Sequence, residues 1–370
     1  MKKLDKVILY LMGVFFLISA VDYIFGSPLK LGQKFEEGIK TMGSLGLGMI
    51  GILSLAPVLS NVLSKVIMPI SKVLNIDPSI VPAMFFAVDM GGFQMSSDLS
   101  ISKDIGLFAG VVVASTIGTV ISFTIPVAMS IIEEGDIEYF FKGVLIGTIS
   151  LPIGCLASGI FLGLKLNILL WNIMPIFIVS LMLSVSLLLI PKGIIKVLNI
   201  FGKLIVALSI IGLILQGIDI LFGYKIIKDL APFSEVSFII VKISIVLSGA
   251  YPMIYMINRL FGSNLEKIAN RFGLNKEAVS GLIGNLASNL LIFGIYKGMN
   301  PKGKVVAAAF SVSGAFVIGG QFGFVSGLAP QMLGSFMLAK IVAGIISIVL
   351  ASWIYEREVL SCQLGKELKI

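Results

Sequence analysis

Long apolar runs alternate with short polar stretches along this chain, and nothing in it shows the two-residue alternation of half-buried strands. A helix needs about 20 predominantly apolar residues to cross a bilayer. Runs at 6–25, from 42 onward, and at 105–132, 140–164, 166–190, 194–222 and 236–261 therefore predict spanning helices. Short alternating segments of the kind that build outer-membrane barrels are absent. Between the runs, 26–40 reads as a polar connection carrying Glu36-Glu37, and 65–75 as an amphipathic connector at the membrane surface. The stretch 133–138, with its three glutamates and Asp136, reads as a solvated loop. The predicted fold is an all-α polytopic membrane protein of about 10–11 transmembrane or re-entrant helices, some discontinuous. A single transporter domain is expected over 1–354, followed by a short polar tail at 355–370.

One apolar stretch breaks the rules of a lipid-facing helix. Asp77-Pro78 offers a helix start, with an N-cap acid and then a proline. The run that follows contains Val88-Asp89-Met90-Gly91-Gly92-Phe93-Gln94. A carboxylate at membrane depth costs roughly 2.5–3.5 kcal/mol on insertion scales. Paired glycines each lower helix propensity by about 1 kcal/mol and invite the backbone to unwind. Unwound backbone at that depth survives only inside protein or beside a wet cavity. Asp89, Gly91, Gly92 and Gln94 thus mark a site for a small cation or polar amine.

The last third of the chain echoes the first. Ser248-Gly249-Ala250-Tyr251-Pro252 parallels Ser54-Leu55-Ala56-Pro57, which brings Tyr251 into the candidate set. A charged connector at 264–272 takes the place of 65–75, and Leu274-Asn275 that of Leu74-Asn75. Asn275 is placed to cap a helix beginning at Lys276. Asn285 and Asn289 stand where Asp89 stands in the first half, and Lys302 and Lys304 answer Lys103. Two structurally repeated halves are expected, about 42–132 and about 236–327, the arrangement that points to a midplane transport site. The repeat is inverted if the interrupted segments re-enter and parallel if they cross.

Composition removes most other functions. Mean hydropathy is +1.05, and only 13% of residues are charged, against about 25% in soluble domains. The net charge of +8 is spread over connections, so no nucleic-acid patch is present. No histidine occurs, and the two cysteines, Cys155 and Cys362, suggest no disulfide framework. Neither a metal-ligand cluster, a phosphate-binding loop nor a nucleophile elbow is found, so no enzyme activity, metal or cofactor is expected. Met1-Lys2-Lys3 and the run to Phe25 read as a retained first helix with a cytoplasmic N-terminus.

Asp89 has two readings: an anchor for an ammonium group, or a partner neutralising Lys340 within the final span. Asn285 and Asn289, at i and i+4, would share one helix face and either bind substrate or clamp two helices together. Gln321, in Gly319-Gly320-Gln321-Phe322-Gly323-Phe324, would offer an amide beside rings able to hold an ammonium. Asp219, beside Gln216, is the second-choice acid, and Asp22 reads as interfacial.

These motifs resemble the ethanolamine permeases of bacterial ethanolamine-utilisation operons, the EutH family. The resemblance is carried by Phe35-Glu36-Glu37-Gly38, Leu55-Ala56-Pro57-Val58-Leu59, Asp89-Met90-Gly91-Gly92-Phe93, Pro152-Ile153-Gly154-Cys155 and Gly249-Ala250-Tyr251-Pro252-Met253. It implies a multi-pass protein of the bacterial inner membrane that admits ethanolamine by facilitated diffusion, with the lipid bilayer as its surroundings and a homo-oligomer left open. Carriage of another small amine, with or without ion coupling, stands as the alternative, and a membrane receptor or assembly subunit behind it. The chain departs from the family pattern at Gly320-Gln321, where the resemblance implies Asp-His, and at Ser288-Asn289-Leu290-Leu291.

Overall fold

The computed structural model describes residues 3–271 and 273–367, with side chains described for 5–257, 259–260 and 273–358. Among the described residues there is no strand, and eight helices are long and apolar enough to cross a membrane. The chain is an all-α, multi-pass membrane protein.

The sequence led us to expect a connection at 26–40 and a separate surface helix at 65–75. Instead a single 44-residue helix, α2 (Leu31–Leu74), takes in most of the first stretch and all of the second except Asn75, with Pro57 and Pro69 inside it. It follows α1 (Lys3–Ile24), whose Asp22 carboxylate accepts the backbone N–H of Leu29 at 3.0 Å and of Gly32 at 2.8 Å. Those bonds satisfy donors that a helix start leaves orphaned, so the helix begins early. Lys34–Glu37 and Lys40–Glu36 pair at helical spacing along its charged first turns. At about 1.5 Å per residue α2 spans about 66 Å, more than twice a hydrocarbon core of about 30 Å. The charged first turns and the last turns, where Val66, Ile70 and Val73 are exposed among Lys65 and Lys72, keep the two-sided character that read as connectors.

The centre is α5 (Lys103–Ile131), whose most apolar window is 94% buried. Much of it, Phe108–Gly118 and Val120–Thr124, is wound as π-helix. Around it stand α6 (Ile137–Leu162), α7 (Leu166–Leu189), α8 (Pro191–Phe222) and α9 (Phe233–Arg271). The α8 helix is the most lipid-facing of these four, with 22% of its apolar window buried. The expected connector at 264–272 is, through Arg271, a continuation of α9; Phe272 lies outside the described residues.

Two interrupted segments fold back on themselves. The first holds α3 (Ile80–Phe85) and α4 (Phe93–Leu99). At its start Asp77 accepts from the Ser79 N–H and hydroxyl. The other carboxylate oxygen accepts the N–H of Ile101 at 3.2 Å and of Ser102 at 2.9 Å. One side chain therefore clasps both ends, and the segment returns to the side it left. The helix itself starts at Ile80, two residues beyond the proline read as its first residue, because Asp77 forms the turn before it.

The second holds α10 (Lys276–Asn285) and α11 (Asn289–Gly294). Asn275 Oδ1 accepts from Ala278 N and from Asn300 N, both at 3.2 Å, while Asn300 Nδ2 donates to Gly273 O at 2.8 Å. Its base is clasped as well. Five helices long enough to cross, α5 to α9, lie between the two hairpins.

After the second hairpin come α12 (Pro301–Ser313), α13 (Gly320–Leu328) and α14 (Leu333–Glu367). The acidic stretch 133–138, expected to be a free loop, is tied to this region. Asp136 pairs with Lys304 at 2.5 Å, both side chains nearly buried, and Glu133 with Lys297 at 3.0 Å. The loop is acidic because it faces lysines contributed from far along the chain.

Candidate functional site

At the turn of the first hairpin the chain leaves helix at Phe86 (φ −112°, ψ 133°) and Ala87 (φ −62°, ψ 154°). Gly91 then sits at φ +92°, a conformation that costs a residue with a Cβ about 1–2 kcal/mol. A Cβ on Gly92 would run into the carbonyl oxygens of Phe86 and Ala87. Both glycines are required for the backbone to unwind here. Freed backbone is satisfied by α5, since Ala87 N–H donates to Ser122 Oγ at 3.0 Å. Asp89 stays partly exposed while Val88, Gly91 and Gly92 around it are buried. Gln94, one turn on, has a buried Oε1 with no partner.

The second hairpin is broken at 286–288. Asn285 is the last residue of α10 and Asn289 the first of α11, so the two carboxamides do not share a face of one helix. They stand on the two lips of a gap, where Ser288 caps the new helix through Leu290 N–H. A second gap, 314–319, lies against it. Phe316 N–H donates to Asn285 O and Ile318 N–H to Leu286 O, each at 3.0 Å. Phe316 is left-handed at φ +64°. Two breaks thus satisfy each other's backbone, as membrane depth requires.

The side chains at these breaks are incompletely partnered. Asn289 Nδ2 donates to Thr124 Oγ1 at 2.9 Å and Gln321 Nε2 to Thr119 Oγ1 at 2.7 Å, both threonines on α5. Their oxygens, Asn289 Oδ1 and Gln321 Oε1, are buried without a partner. Asn285 is fully buried, and neither Oδ1 nor Nδ2 has one. A buried polar atom left unpaired costs about 1–3 kcal/mol, so such a cluster calls for a ligand. The first hairpin's break packs on α5 and on α13, which carries Gln321, and Phe93 meets Phe324 edge-on. Asp89, Gly91, Gly92, Gln94, Asn289 and Gln321 are thereby on elements that pack on α5, and Asn285 is tied to them through the bonds between the two gaps.

Lys340 forms no ion pair with Asp89. Its Nζ donates to Ala315 O, in the second gap, at 2.7 Å. The ammonium lies 5.5 Å from the centre of the Phe336 ring and 5.9 Å from that of Phe316. These rings surround the protein's own cation, while Phe322 and Phe324, beside Gln321, are buried in the core. Tyr251, with Glu37 and Tyr255, lines a groove of about 490 Å³ on α2 and α9 that reaches Gly284 and Ser288 at the second break. Gln216 donates to Ala231 O at 2.7 Å, which gives it a bracing role.

Thr119 and Thr124 escaped the sequence reading. The available signal was the run Ser115-Thr116-Ile117-Gly118-Thr119 and the Ser122 and Thr124 that follow, dense in hydroxyls for a span. Hydroxyls in helices usually bond back to the preceding turn, as Thr119 does to Ala114 O at 2.9 Å, and nothing in the sequence announced that its oxygen also accepts from Gln321.

The model of the ethanolamine utilisation protein EutH matches residues 4–354. A probable ethanolamine permease EutH of Listeria monocytogenes is 39% identical over 96% of this chain and 95% of its own length. Its namesake in Escherichia coli is 35% identical over 96% of both chains. The uncharacterized protein YxeR of Bacillus subtilis is 34% identical over 94% of each. No solved structure matches. With a family match that runs almost end to end, this chain belongs to the EutH family of ethanolamine utilisation proteins.

Proposed function

We propose that this protein is a permease for ethanolamine in the bacterial cytoplasmic membrane, working by facilitated diffusion and carrying out no catalysis. The observation that carries the reading is the set of buried, unpartnered amide atoms at the breaks, with Asn285 wholly unsatisfied. Protonated ethanolamine has an ammonium with three donors and a hydroxyl that both donates and accepts. Asp89 supplies charge for the ammonium, strengthened where water is excluded. The free oxygens of Asn289, Gln321 and Gln94 accept the remaining protons, and Asn285 Nδ2 donates to the hydroxyl. The names of the relatives agree with this chemistry.

An inverted repeat, 42–132 and 236–327, fits the same reading. Two hairpins clasped at the base and separated by an odd number of crossings enter from opposite faces, so that their breaks lie toward the midplane. Uptake of labelled ethanolamine into proteoliposomes tests the proposal, with choline, serine and longer amino alcohols as competitors. Saturable uptake displaced best by amino alcohols is expected. Preference for another amine would move the substrate, and absence of uptake for all of them would refute a permease. Uphill accumulation driven by an imposed proton gradient would replace facilitated diffusion with coupled transport.

A further inference from the structure

A groove of about 920 Å³ runs between the start of α6 and the first turns of α8. Lys192, Lys196 and Lys203 line one wall; their spacings of four and seven place them on one face of α8. Glu134 and Glu138 line the other, and the floor around Phe141 is apolar. All five charged side chains are exposed. Among the described residues none of them forms an ion pair, although acids and bases nearby do so wherever they reach. Glu133 finds Lys297, Asp136 finds Lys304, and Lys142 finds Glu358. Opposite charges facing one another without closing leave room for something that satisfies both walls. The α8 wall also belongs to the lipid-facing surface, for Val197, Ile200 and Leu204 are exposed beside it.

We propose that this groove is a headgroup site for a zwitterionic phospholipid with a primary ammonium, its phosphate on the three lysines and its ammonium on the two glutamates. The three lysines pull the phosphate in as basic clefts between spanning helices do. The paired carboxylates then reject a headgroup that lacks the cation. A primary ammonium donates hydrogen bonds to them, which a quaternary ammonium cannot do. An acyl chain continues over the apolar floor and down the exposed face of α8.

The test is lipid retention by the full-length protein in detergent, read by native mass spectrometry with equimolar phosphatidylethanolamine, phosphatidylcholine and phosphatidylglycerol. Retention of phosphatidylethanolamine by the wild-type protein is expected above both others. The Lys192→Gln/Lys196→Gln/Lys203→Gln variant should lose it by at least about tenfold. The Glu134→Gln/Glu138→Gln variant should keep binding phospholipid without distinguishing ethanolamine from choline headgroups. Equal retention of the three lipids, preference for phosphatidylglycerol, undiminished retention in the lysine variant, or undiminished selectivity in the glutamate variant would each overturn the site. These side chains are exposed and unpaired, so melting temperature in lipid-free detergent should be unchanged. Should a variant fail to fold, the wild-type competition still decides the question.

Discussion

Lys340 gives its ammonium to the carbonyl oxygen of Ala315, 2.7 Å away in the second gap, and not to Asp89. The two groups lie in the same core without a direct bond between them. Asp89→Asn should therefore leave the fold intact, with a melting temperature within a few degrees of wild type, because Lys340 keeps its bond to the Ala315 carbonyl. Ethanolamine uptake should fall steeply, since a charge-assisted hydrogen bond is roughly twice as strong as a neutral one. Collapse of yield and stability, restored in a double variant with Lys340→Met, would instead reveal an ion pair.

Lys340→Met removes a cation that shares the neighbourhood of an incoming ammonium. The Ala315 carbonyl is left unpaired at a cost of about 1–3 kcal/mol, partly offset by relief from burying a charge. A small change in melting temperature is expected, together with tighter ethanolamine binding measured by competition in detergent. Loss of binding would place the lysine inside the substrate site.

Asn285 buries a carboxamide with nothing bonded to either end. Asn285→Leu exchanges that unsatisfied group for an apolar one of similar size, so the empty protein should hold or gain stability by about 1 kcal/mol. Uptake should be abolished. A strongly destabilised variant, judged by thermal melting, would mean that Asn285 serves packing rather than substrate.

Thr119 and Thr124 hold Gln321 and Asn289 by one hydrogen bond each. Thr119→Val and Thr124→Val keep the shape and remove the acceptor, at a cost of about 1 kcal/mol apiece. Each should weaken ethanolamine affinity measurably while leaving expression intact, since an amide freed to rotate is no longer aimed. Unchanged binding in both would remove α5 from the site.

The first hairpin was legible in the sequence because its signals are local: a charge inside an apolar run, two glycines, and an acid-proline start. Its closure was not, because Asp77 acts on Ile101 and Ser102, and such a bond leaves no periodicity. Asn285 and Asn289 were found but misplaced, since helical spacing presumes a helix and the helix stops between them. The length of α2 was hidden by two internal prolines and charged ends, whose helical state is fixed by Asp22 and by glycines pressed against neighbouring backbones. Gly38 meets Ser248, and Gly51 meets Ser209. The acidic stretch 133–138 could be understood only once Lys304 and Lys297 stood opposite it.

The pairing of Phe316 and Ile318 with Asn285 and Leu286 also sets an order of events during synthesis. The earlier break emerges from the ribosome with two carbonyl groups that have no partner until the later one has been made. An unsatisfied carbonyl in lipid costs several kcal/mol, so the second hairpin cannot settle when it first reaches the membrane. It must stay in a wet or sheltered place while α12 and the next gap are added, and the two then lock together. Assembly of this half is a late, joint step, and a chain cut before Ile318 would leave the hairpin with nothing to close on.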